Sequence, residues 1–140
     1  YDLGDKHSYR HSDYSSCEEL EADIRKRENV AAILPLFLYD HSGITMNTIP
    51  FGCHWDSGQV GFIFISKVKA LEEFGGKIVT KKLRERLETY LRNEVKTYDQ
   101  YLTGDVWGIQ IFEDDEEIDS VWGFYDRDYA EQEAKAMCDL

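Results

Sequence analysis

From Leu83 onward, leucine and tyrosine recur at intervals of three and four: Leu83, Leu87, Tyr90, Leu91, Tyr98 and Leu102. That period gathers them on one face of a helix. Thr80 is a suitable N-cap, and an unbroken run to Leu102 would be about 33 Å long at about 1.5 Å per residue. A helix of that length spans a small domain, so the rest of the chain must supply a surface that covers its apolar stripe. The opposite side bears Lys81, Lys82, Arg84, Glu85, Arg86, Glu88 and Arg92 and reads as a solvated face.

Three apolar stretches offer the covering surface. Ile33 to Tyr39 and Ile44 to Thr48 flank the turn signal Asp40-His41-Ser42-Gly43, which makes strand, turn and strand. Pro35 lacks a ladder donor and belongs at an edge, a strand start or a bulge. Val60 to Ile65 is almost continuously apolar, the pattern of a strand buried on both faces. Ahead of these, Tyr1 to Tyr14 is a polar lead-in without a regular period, and Ser16 starts a helix to about Asn29 with Glu19 at the capping-box spacing. Val68 to Phe74 is a short helix stopped by Gly75-Gly76. Beyond the long helix, Val106 to Phe112 and Ile118 to Tyr125 read as a hairpin joined by the acidic connection Glu113 to Glu117, with a bulge near Gly123. Asp128, with Glu131 three positions on, starts a terminal helix through Met137. This order predicts one α+β domain over residues 1–140, an antiparallel sheet of about five strands packed by three to four helices.

Composition removes several classes. The chain has 140 residues and is 42% hydrophobic, enough for one core and too much for an acidic disordered tail. Its longest apolar run, Ala31 to Tyr39, is broken by Pro35 and falls far short of the ~18 residues of a membrane span. Net charge is -12, which disfavours direct binding to nucleic acid or anionic lipid. The charge is uneven: Gly104 to Leu140 holds twelve acidic residues against Arg127 and Lys135 alone. Such asymmetry suits an acidic surface that meets a basic partner. Cys17, Cys53 and Cys138 are too few for a disulfide framework or a paired zinc site and point to a reducing compartment, the cytoplasm.

The densest polar segment is the loop Phe51 to Gln59, where Cys53, His54, Asp56 and Ser57 could form a nucleophilic site with His54 as the activating base. Adjacent residues on an extended segment point to opposite sides, and the same loop reads as a structural turn anchored by Trp55. His7 and His11 are four apart, but nothing in their segment holds a helix, and no metal is expected. Gly75-Gly76-Lys77 lacks the phosphate-loop spacing and no GxGxxG follows a strand, so no cofactor is expected either. The acidic run is a second candidate site. Glu113, Asp114, Asp115, Glu116 and Glu117, with Asp105 and Asp119, could imitate a phosphate backbone and occupy a basic nucleic-acid site on another protein.

Three strings, Tyr98-Asp99-Gln100-Tyr101-Leu102-Thr103-Gly104-Asp105-Val106-Trp107-Gly108, Trp55-Asp56-Ser57-Gly58-Gln59-Val60-Gly61 and Trp122-Gly123-Phe124-Tyr125, occur in that order. Together with the opening Tyr1-Asp2-Leu3-Gly4-Asp5-Lys6-His7, they resemble a widespread, uncharacterised family of small phage and prophage proteins. The resemblance implies a viral or mobile-element origin, a bacterial host cytoplasm and a further segment ahead of Tyr1. It brings no activity or catalytic residue. Asp126 departs from the family pattern, which has glycine after the tyrosine. The combined expectation is a non-catalytic acidic protein that inhibits a host defence or nucleic-acid-processing protein by covering its basic surface. The alternatives are a small hydrolase or transferase at the Cys53 to Ser57 loop, and an assembly component that forms homo-oligomers through a strand edge.

Overall fold

The computed structural model of the chain describes residues 3–138; Tyr1 and Asp2, at the start of the polar lead-in, lie outside the described residues. Among these the elements are α1 (Cys17–Arg27), β1 (Val30–Asp40), β2 (Ile44–Asn47), β3 (Ser57–Ser66), α2 (Lys67–Phe74), α3 (Lys81–Thr103), β4 (Trp107–Glu113), β5 (Glu116–Phe124) and α4 (Arg127–Cys138). The fold is α+β and every strand pair is antiparallel. The five strands do not form one sheet, as the sequence suggested. They divide into a three-stranded sheet, ordered β2-β1-β3, and a separate two-stranded hairpin of β4 and β5.

α3 is the helix announced by its leucine period. The Thr80 hydroxyl accepts from the Leu83 N–H at 3.1 Å, and Gly104 closes the other end in the left-handed conformation at φ 76°. Leu83, Leu87 and Leu91 pack with Ala32, Ile65 and Ala70 into one cluster, while Val95 joins Leu38 and Met46 in a second. The long apolar stripe therefore lies along the sheet and ties all three strands to one helix. Asp99 near its C-terminal end also accepts the Met46 N–H at 2.8 Å, so α3 closes the outer edge of β2. β3 forms the opposite edge of the sheet.

The proline in β1 is explained by the register. β2 ends where Asn47 pairs with Phe37, so at Pro35 the only strand neighbour is Phe62 of β3, and a register shift follows between Leu36 and Phe37. Pro35 thus sits at a one-sided stretch of strand beside a bulge, where its missing donor breaks no second ladder.

β3 corrects another expectation. Only Ile65 is buried; Phe62 and Phe64 are half-buried and Val60 is 53% exposed. Its second face is covered at one end by α1, which packs across β1 and β3. At the other end the loop after β2 contributes a single ring, Phe51 stacked on Tyr39 at 5.6 Å. A continuous apolar run marks strong β propensity but does not count how many layers cover it.

From Leu3 onward the lead-in is held to the body. Leu3 packs against the second cluster, and the Gly4 N–H donates to the Tyr98 hydroxyl at 3.3 Å. A 3-10 turn at His11–Asp13 leads to α1, where the Ser16 hydroxyl accepts from the Glu19 N–H at 3.2 Å. The Glu19 carboxylate reaches the N–H and hydroxyl of Ser15 instead of the cap residue, a capping box displaced by one position.

Candidate protein-binding surface

The C-terminal third forms a small unit of its own. β4 and β5 pair from Trp107 with Phe124 to Glu113 with Glu116, and α4 packs on one side of them. Alternation puts Trp107, Ile109 and Ile111 on that side with Val121 and Phe124. Ile109 and Ala130 are buried between the layers, and the Phe124 and Tyr129 rings meet edge to face at 5.8 Å. None of these residues belongs to the clusters under α3. The joint to the body is polar: Gln100 of α3 donates to the Tyr125 carbonyl, and the Asp105 N–H donates to the Gln100 carbonyl at 2.8 Å. The register skips Gly123, which holds φ 100°, so the bulge expected there is present.

Asp126, not Asp128, starts α4. Its carboxylate accepts from the Asp128 N–H at 2.8 Å and the Tyr129 N–H at 3.3 Å, while Glu131 pairs with Arg127. Asp at the cap position satisfies donors that glycine would leave to water. Within α4 the Glu133 carboxylate beside Tyr129 raises that phenol above its ordinary pKa.

The acidic connection is tighter than its five residues suggested. Glu113 pairs with Glu116, so the turn is Asp114-Asp115 alone, with φ of 47° and 67°. Two left-handed residues are what a two-residue hairpin turn demands, and aspartate tolerates that region better than most side chains. The consequence is electrostatic. Glu113 and Glu116 face each other across the ladder, an arrangement that costs stability, and five carboxylates crowd one tip. Among the described residues none of the five makes an ion pair. Asp105 does not join the tip, whereas Asp119, paired with Ile111, is one same-face step from the Glu113–Glu116 pair. Asp105 is at the far end of β4, about 20 Å away at ~3.3 Å per residue, where it accepts the Trp107 indole N–H at 2.8 Å. Asp119 accepts the Ser120 N–H at 2.8 Å.

The face of the hairpin turned away from α4 carries Gly108, Gln110, Phe112, Glu117, Ser120 and Trp122. Trp122 is 68% exposed and Phe112 58%. A Cβ on Gly108 would collide with the Trp122 ring, so the indole lies across β4 where glycine leaves room. Gln110 Nε2 donates to the Glu117 carboxylate at 3.1 Å on the same face. In the sequence the signal for this platform is Gly108, one position off the Trp107-Ile109-Ile111 alternation.

In the loop after β2, Cys53, His54, Asp56 and Ser57 do not assemble around a nucleophile. The Ser57 hydroxyl donates to the Cys53 carbonyl, and Asp56 pairs with Nδ1 of His41 at 3.2 Å, not with His54. His54 is exposed, and Trp55 is 95% exposed, so Trp55 does not anchor the loop. The partner of Asp56 was hidden because His41 lies in the preceding turn, brought across by the pairing of Tyr39 with Ser57. Among the described residues no three of His, Cys, Asp and Glu gather as metal ligands, and no helix is long and apolar enough to cross a membrane.

A comparison of the chain with protein-family models, with curated proteins and with solved structures returns no match.

Proposed function

We propose that this chain is a non-catalytic binding protein of phage or mobile-element origin. It acts in the bacterial host cytoplasm and uses its acidic hairpin to cover a basic surface on a host defence or nucleic-acid-processing protein. One observation carries the reading: five carboxylates are held at the tip of a hairpin, and among the described residues none of them has an ion-pair partner. An arrangement that costs the free fold stability is offset when a cationic partner arrives. Direct nucleic-acid binding is disfavoured by the same charges.

The test separates the site from the net charge. One variant neutralises Glu113, Asp114, Asp115, Glu116 and Glu117 to their amides; a control neutralises Asp5, Asp13, Glu18, Glu72 and Glu85 in the body. Partner capture from host lysate and binding of poly-lysine are followed across a salt series. The hairpin variant should lose most of the binding and flatten its salt dependence, while the control keeps both. Equal losses in the two variants would reduce the effect to bulk charge and end this reading.

A second reading has its own observation. β3 is a ten-residue edge strand without a charged residue, and such an edge is a template for another strand. A second copy pairing there would make the chain an assembly component. Light scattering should then show a dimer that Val60→Lys separates; a monomer at high concentration counts against it. The alternative of a hydrolase or transferase at Cys53, His54, Asp56 and Ser57 draws no support from a loop whose serine and aspartate are engaged elsewhere.

A further inference from the structure

We propose that the hairpin face bearing Trp122 docks an arginine-rich extended segment of the partner, with one guanidinium stacked on the Trp122 ring. The inference rests on the acidic-binding reading above and gives it a chemical preference that charge alone does not supply.

The two tryptophans of the hairpin make the argument. Trp107, on the α4 side, carries the Arg127 guanidinium 5.4 Å from its ring centroid, and its indole N–H donates to Asp105. Ring, guanidinium and carboxylate are all present there. Trp122, on the opposite side, has a ring backed by Gly108 and a carboxylate on the same face, Glu117, oriented by Gln110. It has no guanidinium among the described residues. The last quarter of the chain contains only Arg127 and Lys135 as cations, and Arg127 is engaged with Trp107 and Glu131. The missing group must come from another molecule.

Arginine fits better than lysine. All three cation–ring contacts among the described residues use arginine: Arg27 over Tyr9, Arg86 over Phe74 and Arg127 over Trp107. A guanidinium is planar and weakly hydrated, stacks on a flat ring and still offers paired donors to a carboxylate. An extended segment presents every second side chain to one face, about 6.6 Å apart, so alternating arginines address the Trp122 ring and the acidic residues beyond it together. A nucleic-acid base would also stack on an exposed indole, but its phosphates would meet the five tip carboxylates. A second copy of the hairpin would bring the same negative charge.

Calorimetric titration of the full chain with an octapeptide of alternating Arg and Ser, its Lys and Ser counterpart, and an oligothymidylate tests the proposal. The arginine peptide should bind about two- to fivefold more tightly than the lysine peptide, the size of one exposed cation–π contact. Trp122→Ala should abolish that preference and leave lysine-peptide binding unchanged, and Trp122→Phe should restore part of it. Equal binding of both peptides to the unaltered protein overturns the inference without any variant. So does a preference that survives Trp122→Ala, or oligothymidylate binding that depends on Trp122. Equal binding that is lost when the five tip acids are neutralised removes the arginine preference and leaves the broader reading standing. No binding that depends on those acids removes both.

Discussion

The N-terminal strap and the C-terminal hairpin are both rich in polar side chains and use them in opposite ways. In the strap, the Tyr9 hydroxyl donates to Glu28 at 2.7 Å and the Tyr14 hydroxyl to Asp23 at 2.6 Å, while Arg27 bonds Ser8 and lies over the Tyr9 ring. Charge there is consumed in holding a chain segment against α1. At the hairpin tip no carboxylate makes an ion pair among the described residues, and the rings of Phe112 and Trp122 face solvent. A polar segment whose groups are matched internally is structure; one whose groups are unmatched on a defined scaffold is available to a partner.

The sharpest way to break the comparison is to remove the hairpin's own core. Ile109→Ala should cost about 2–4 kcal/mol, and the loss should stay local because the buried clusters under α3 contain no residue of β4, β5 or α4. Hydrogen exchange should accelerate in β4 and β5 and stay slow in β1 and β3. Equal acceleration in both sheets would show that the hairpin is part of one cooperative core. Next in size is Gly108→Ala, where a Cβ meets the Trp122 ring and must displace it. A cost of about 1–3 kcal/mol and a changed tryptophan emission are expected. Unchanged emission and stability would mean that the ring does not rest on Gly108.

A smaller effect, of opposite sign, separates turn geometry from charge. Asp115 sits at φ 67°, so Asp115→Gly relieves backbone strain and should stabilise the hairpin by about 1 kcal/mol. For a domain of this size that raises the melting temperature by roughly 2–4 °C. Asp115→Asn, which removes the same charge and keeps the strain, should gain less. If the two variants gain equally, repulsion at the tip outweighs the turn.

Much of this arrangement was legible in the chain. The period of α3, the caps at Ser16 and Thr80, the turn before β2 and the bulge at Gly123 are local signals, and local physics decided them. Two kinds of feature were not legible. One is coverage: the apolar run of β3 does not disclose that its second face is only partly roofed, and nothing in Pro35 discloses that β2 stops short of it. The other is long-range pairing, such as Asp99 with the Met46 N–H or His41 with Asp56, which depends on register. The acidic run was visible as composition. That it closes to a two-residue turn, with Asp119 beside the tip and Asp105 far from it, follows only from the ladder.

The smallest predicted effects belong to the strap and are read by pH. Burial, together with the hydrogen bond to Glu28, pushes the Tyr9 phenol from 10.0 up to about 12. The fold thus favours the neutral phenol, and the stabilisation is complete below Tyr9's ordinary pKa and lost as pH rises toward about 12. On the acid side, the Tyr14 hydroxyl holds Asp23 below its usual range, and Ser15 does the same for Glu19. Those contributions are present above the ordinary carboxylate range and vanish as pH falls through the lowered values. The strap should therefore be most resistant to proteolysis at intermediate pH and be released at both extremes. Tyr14, Tyr90 and Tyr129 are raised as well, so phenolate absorbance should show several late-titrating tyrosines with Tyr9 as the last, and Tyr9→Phe should remove that late step while costing under about 1 kcal/mol. If the late step persists in Tyr9→Phe, another tyrosine holds the protected phenol and the strap is bound less by Glu28 than by the packing of Leu3.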